Sequence, residues 1–234
     1  TGIAHLLEHM VFKGTKNFPN FRDQIRTRGA SYNGSTWYDR TNYYETLPAK
    51  GDNLEWAIRF ETDRMRNAVM TEKKLKPERT VVINELDMGE NNATSVLTDK
   101  VEAISYMFHG YGHSTIGSKS DLEKVTLAQV QGFYDKYYQP DNAILVISGK
   151  IDPKKTLALV EKHMGKVPRP KRKLVPTYTR EDARDSYREV RLRRVSEVGA
   201  VVMIFHTPPT GHPDTAPLKI LESIMTDKPS GRVY

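Results

Sequence analysis

The sequence predicts a mixed α and β fold of the α+β class, and three observations carry that expectation. Apolar residues recur at helical spacing, as at Leu54, Ile58 and Met65. Residues 31–37 and 40–47 read as the two short strands of a hairpin, with Pro48 stopping the second. A strongly apolar run at 143–148 reads as a further strand.

In chain order, residues 2–13 read as a first helix that ends near Gly14. Residues 20–28 form a short amphipathic helix built on Phe21 and Ile25, closed by Gly29. After the hairpin a helix spans 52–69. Pro77 suits the first turn of the next helix, and Glu78 suits the positive end of its dipole. A helix near 94–108 carries Val101, Ile104, Tyr106 and Met107, and a glycine-rich loop follows. A helix at 126–138 leads to the strand at 143–148, and a helix at 153–164 reaches a Pro/Lys/Arg segment. Strand-like runs at 187–193 and 199–206, then a helix at 214–225, open a second unit. The expected division is 1–167, a linker at 168–186, and 187–234.

At 234 residues the chain can bury a sizeable core in one to two domains. The net charge of +7, with 28% of residues charged, describes a solvated surface with a basic bias. Cations cluster at 22–28, 166–173 and 188–194. A nucleic-acid surface calls for a basic stripe with aromatic or motif context. The run Lys166-Val167-Pro168-Arg169-Pro170-Lys171-Arg172-Lys173 carries prolines instead and reads as an extended linker, so no nucleic-acid partner is expected. The absence of cysteine excludes disulfides and thiolate zinc sites and is silent on compartment. No apolar run approaches the roughly 20 residues of a membrane span, and no signal-peptide pattern is visible.

The chemistry begins at His5-Leu6-Leu7-Glu8-His9. Residues four apart on a helix stand one above the other, so His5 and His9 share a face and Glu8 lies on the adjoining strip. Two neutral imidazoles suit Zn²⁺, and a carboxylate beside them can take a proton from a metal-bound water. The order His-x-x-Glu-His is the inverzincin signature. A catalytic zinc usually has three protein ligands, so a third donor is expected. The best segment for it is Pro77-Glu78-Arg79-Thr80-Val81-Val82-Ile83-Asn84-Glu85-Leu86, where Glu78 and Glu85 are two helical turns apart and project from one face. Taken alone, that segment reads rather as a surface helix with two solvated glutamates.

The two segments together resemble the pitrilysin/insulinase family of zinc endopeptidases, which includes insulin-degrading enzyme and the mitochondrial processing peptidase. The resemblance continues through Phe12-Lys13-Gly14-Thr15, through Gly29-Ala30-Ser31-Tyr32-Asn33-Gly34-Ser35-Thr36 with Thr41-Asn42-Tyr43-Tyr44, and through His109-Gly110-Tyr111-Gly112-His113. It extends to Phe133-Tyr134, Tyr137-Tyr138, Pro140, Asn142-Ala143 and Val146-Ile147-Ser148-Gly149, covering most of residues 1–165 in order. The resemblance implies a mostly antiparallel sheet flanked by helices, with the start of a similar second domain. It implies one zinc per chain held by His5, His9 and Glu85, with Glu8 as the general base that activates the zinc-bound water. Glu78 becomes a carboxylate that orients a ligand, and Asn33 and Gly34 belong to the edge strand facing a peptide substrate. Gly34 stands where the family usually has Ala, and Lys150 where an acidic residue is more usual.

Further implications concern the whole protein. In the family, strands precede the metal helix, and a segment like Pro229-Ser230-Gly231-Arg232-Val233-Tyr234 continues into further helix, so the chain is expected to be a fragment. A homologous second domain or subunit closes the site in the family and supplies an Arg/Tyr pair that is not identifiable in this chain. The isolated chain is therefore expected to be inactive, or barely active. The paired prolines and general style of the sequence fit a bacterial envelope protease, so the expected compartment is the periplasm or cell envelope. The alternative function is a non-catalytic partner or binding subunit, but such subunits typically lose metal-site residues. His109 and His113 are separated by glycines and read as loop residues. His206 and His212 flank a proline-rich turn and read as surface or packing residues. Tyr32, Tyr38, Tyr43 and Tyr44 read as a sheet face.

Overall fold

The computed structural model describes residues 1–195, 199–227 and 229–232. Backbone contacts divide it into two units, Thr1–Ala200 and Val201–Tyr234. The first holds α1 (Ile3–Val11), α2 (Phe21–Thr27), β1 (Ser31–Thr36), β2 (Thr41–Thr46), α3 (Asn53–Asn67), α4 (Glu72–Glu90), α5 (Ala93–Ser105), α6 (Lys119–Lys124), α7 (Leu127–Tyr137) and α8 (Pro153–His163). The second holds α9 (Thr215–Thr226). Among the described residues the sheet is the single antiparallel hairpin β1–β2, in register at Asn33↔Tyr44 and Gly34↔Tyr43. The α+β class stands, with a sheet smaller than expected.

Two clusters make the core. In the first, Leu6, Leu7, Met10 and Val11 of α1 meet Leu75, Val82 and Leu86 of α4, with Leu122, Val130 and Tyr134 from α6 and α7. Burying each of the larger apolar side chains is worth about 1.5–3 kcal/mol, so α1 is held by four such anchors on one face. At its N-terminal end Gly2, at φ 77°, lies against Gly117, at φ 88°. A Cβ on Gly117 would stand 2.5 Å from the Gly2 Cα, so this close backbone approach requires glycine. The second cluster stacks Phe18, Phe21, Ile25, Trp56 and Phe60 from the α2 region and α3.

Between hairpin and helices sits Arg64, 1% exposed. Its guanidinium lies over the rings of Phe12, Phe21, Tyr43 and Phe60, at 4.4–5.4 Å from their centroids. It pairs with Glu45 of β2 and lies 3.2 Å from Glu61. A buried cation is tolerated only with such partners, and here they tie β2 to α3.

Several expectations need correction. The helix carrying Glu85 starts at Glu72, not at Pro77. Its cap is Thr71, whose side chain accepts from the Lys74 N–H at 3.3 Å, and Pro77 sits inside the helix, where its ring forgoes one backbone hydrogen bond. α6 was not expected, since it is one short turn and a half with only Leu122 buried. Residues 143–148, 187–193 and 199–206 form no strands. A strand belongs to a ladder, and among the described residues the ladder is β1–β2, outside these segments; Ile144 and Val146 are 94% and 80% exposed. Arg188 instead donates to the Ile104 carbonyl at 2.7 Å and Arg194 to the Glu90 carbonyl at 2.6 Å. The segment 229–234 lies partly outside the described residues, at Val233 and Tyr234. No helix among the described residues is long and apolar enough to cross a membrane.

Replacing Arg64 with leucine leaves Glu45 buried without its cation, a loss expected to cost about 3–5 kcal/mol. Urea denaturation of Arg64→Leu beside wild type measures it, and a change under about 1 kcal/mol would remove Arg64 from this role.

Candidate metal centre

The face of α1 opposite its apolar anchors presents His5 and His9, each with an 18% exposed side chain. Their rings are edge-on with centroids 4.8 Å apart, as a four-residue step on a helix dictates. α4 packs alongside and brings its own polar strip to the same place. The Glu85 Oε2 lies 3.7 Å from the His5 Nε2 and 3.5 Å from the His9 Nε2. Donor atoms of His5, His9 and Glu85 all lie within 4.8 Å of one another, the one such group among the described residues. A tetrahedral zinc with bonds of 2.0–2.2 Å separates its ligand atoms by about 3.4 Å, so two imidazoles and a carboxylate at these spacings fit that ion.

The surroundings orient the set. The His9 ring points Nε2 at Glu85 and Nδ1 at the Glu78 Oε2, 3.5 Å away. Glu78 is buried, and its other oxygen pairs with Lys13. The chain Lys13–Glu78–His9 therefore holds the imidazole by its far nitrogen, as carboxylates commonly do for histidines that bind metal. The His5 Nδ1 is buried with no hydrogen-bond partner. Burial foremost, then the neighbouring His9, pushes the His5 imidazole below its ordinary range, against the pull of Glu8 and Glu85. His5 is thus kept neutral, with a lone pair free to donate.

Glu8 is buried beside the pair, and its Oε2 accepts a 2.6 Å hydrogen bond from the Thr36 hydroxyl of β1. Tyr32, Gly34 and Thr36 alternate toward the interior while Ser31, Asn33 and Ser35 face out. Gly34 faces Glu8 and Phe12: a Cβ there would meet the Glu8 Oε1 and the Phe12 ring at 3.0 Å. Asn33 is exposed and folds its Oδ1 back to accept from the Gly34 N–H at 2.9 Å. A cleft of about 390 Å³ gathers His5, Glu8, His9, Asn33, Glu78 and Glu85, together with Phe12, Arg22 and Tyr32. Lys13, Thr36 and Arg22 were not singled out from sequence. Lys13 carried a signal, standing four residues after His9. Thr36 carried one too, two residues after Gly34 on the inward face.

Among the described residues no other histidine belongs to a donor group of this kind. The His109 Nδ1 accepts from the Tyr111 N–H at 3.2 Å and caps a 3₁₀ turn, Gly110–Gly112, as a loop residue would. The His212 Nδ1 accepts from the Asp214 N–H at 3.2 Å.

Residues 1–119 match the family model described as insulinase (peptidase family M16), and residues 124–234 match that described as peptidase M16 inactive domain. The zinc protease PqqE of Helicobacter pylori is 29% identical over 230 residues, which span 96% of this chain and 51% of that protein. The crystal structure of a protease from Helicobacter pylori superposes with a TM-score of 0.70 at 31% identity, over 78% of this chain and 45% of that one. The periplasmic protease PqqL of Escherichia coli superposes with a TM-score of 0.67 at 26% identity, over 75% of this chain and 21% of that one. The chain spans about half the length of several curated relatives that it matches.

Glu85→Gln is expected to lower zinc retained per chain after dialysis to well below the wild-type value. Glu78→Gln, which loosens His9 without removing a donor, is expected to weaken zinc about 10–100-fold. Competition with a chelating dye measures both, and unchanged affinity in Glu85→Gln would exclude it as a ligand.

Proposed function

We propose that this chain, which belongs to the insulinase family (peptidase family M16), carries the metal site of a zinc-dependent endopeptidase that hydrolyses peptides or unfolded protein segments. The observation that carries the reading is the convergence of His5, His9 and Glu85 with Glu8 in one cleft. Relatives named zinc proteases support the metal and the reaction class. In this reading His5, His9 and Glu85 hold one zinc ion per chain. When bound, zinc supplies Lewis acidity to a carbonyl oxygen and lowers the pKa of water.

The remaining work falls to the chain's own residues. Glu8 takes the proton from the attacking water and delivers it to the leaving amine nitrogen, a transfer that general acid–base groups typically accelerate 10²–10⁴-fold. Thr36 engages the Glu8 Oε2, which fixes the carboxylate and leaves Oε1 for the water. Glu78 orients His9 while Lys13 balances its charge. β1 bonds to β2 along one edge, and among the described residues its other edge is unpaired. An extended substrate adds there as a strand, main chain to main chain, past Asn33 and Gly34. The catalytic unit is assigned to residues 1–167, with 168–186 as linker and 187–234 opening a second unit. Relatives about twice as long support a second homologous domain or subunit closing the cleft. A periplasmic or envelope location is supported by the periplasmic PqqL.

The test is zinc content and cleavage of an unstructured fluorogenic peptide by the full-length protein that contains this chain, wild type beside Glu8→Gln. The expected result is one zinc in both proteins, with cleavage lower in Glu8→Gln by about 10²-fold or more. A wild type that takes up no zinc at micromolar free metal would overturn the peptidase reading in favour of a non-catalytic subunit.

A further inference from the structure

Beside the metal cleft lies a second depression of about 510 Å³, lined by Arg22, Asp23, Ile25, Arg26, Ala30 and Tyr32. Arg22 and Tyr32 belong to both recesses, so the two share a wall where α2 faces the start of β1. The floor is apolar: Ile25 is buried, and Ala30 and Tyr32 are half-buried. The rim is charged. Asp23 and Arg26 stand 3.4 Å apart and largely cancel each other. Arg28, on the same helix end, is engaged by Asp52 at 2.7 Å. Arg22 has no carboxylate within 4.0 Å among the described residues, so it presents a guanidinium without an ion-pair partner at the boundary between the depression and the metal cleft.

We infer that this depression is the subsite for an acidic side chain of the substrate, glutamate above all, at a position flanking the scissile bond, and that Arg22 reads it. The inference rests on the peptidase reading above and names its substrate class. A glutamate lays its aliphatic stem on the Ile25, Ala30 and Tyr32 floor and brings its carboxylate to the guanidinium, whose planar fork suits bidentate pairing. A lysine in the same place meets an uncompensated like charge. A polyanion such as nucleic acid is disfavoured, because Glu8, Glu78 and Glu85 line the adjoining cleft. A single carboxylate on an otherwise neutral peptide avoids that repulsion. The overall charge of +7 adds long-range attraction for such peptides.

The experiment uses the zinc-loaded full-length protein that contains this chain, carrying Glu8→Gln so that peptides are bound and scarcely cut. Fluorescein-labelled peptides identical except for Glu, Gln or Lys at each position flanking the scissile bond are titrated by anisotropy. The same set is scanned for cleavage by the wild type. At one position the Glu peptide is expected to bind about 5–10-fold tighter than the Gln peptide. Adding Arg22→Gln erases that difference and leaves the Gln peptide unchanged, whereas Arg22→Glu shifts preference to Lys. Arg22 is exposed, so these variants retain the fold, and their zinc content verifies it. Equal binding of Glu and Gln peptides at every position, or a Glu preference that survives Arg22→Gln, overturns the subsite while wild-type cleavage leaves the peptidase reading standing. Failure of both binding and cleavage overturns the two together.

Discussion

The site depends on one packing contact, the apposition of α1 and α4. Leu6, Leu7, Met10 and Val11 lock into Leu75, Val82 and Leu86, and that register decides which polar residues of the two helices meet. Because each helix repeats every 3.6 residues, fixing the apolar stripes also fixes the polar strips beside them. The imidazoles of α1 then face Glu78 and Glu85 of α4, two turns apart. Such crowding of half-buried polar groups is costly in isolation. Lys13 offsets it at Glu78, Thr36 at Glu8, and a cation shared by His5, His9 and Glu85 would offset the remainder. The apolar contact holds the polar groups together, and the proposed chemistry rests on those groups.

A second constraint places the hairpin. Arg64, caged by aromatic rings and paired with Glu45, ties β2 to α3, and Phe12 at the end of α1 joins the same cage. β1 is thereby held against α1 closely enough for Thr36 to bond Glu8, and a Cβ at position 34 would stand 3.0 Å from the Glu8 and Phe12 side chains. The strand that would receive a peptide and the carboxylate that would move the proton are thus parts of one packed unit. Loss of Arg64 would be felt at Glu8 through two intervening contacts.

The sequence showed most of what is periodic and local. The His5–Glu8–His9 arrangement needs only helix geometry, and the hairpin needs only its alternation and Pro48. The start of α4 was misread because Pro77 usually opens a helix, whereas Thr71 supplies the cap six residues earlier. The apolar runs at 143–148 and 199–206 have strand composition, yet pairing is a property of two segments and cannot be read from one. Thr36 and Arg22 were missed for a similar reason. Thr36 acts across 28 positions of sequence, and nothing in its own neighbourhood says that Glu8 awaits it.

The central claim is that two helices of this chain jointly hold one zinc ion, and X-ray absorption at the zinc edge tests it most directly. The account predicts a light-atom shell with two imidazoles and carboxylate oxygen at about 2.0–2.2 Å, the oxygen contribution changing in Glu85→Ala while both imidazoles persist. A shell without imidazole scattering, or one indifferent to both His9→Ala and Glu85→Ala, would contradict it.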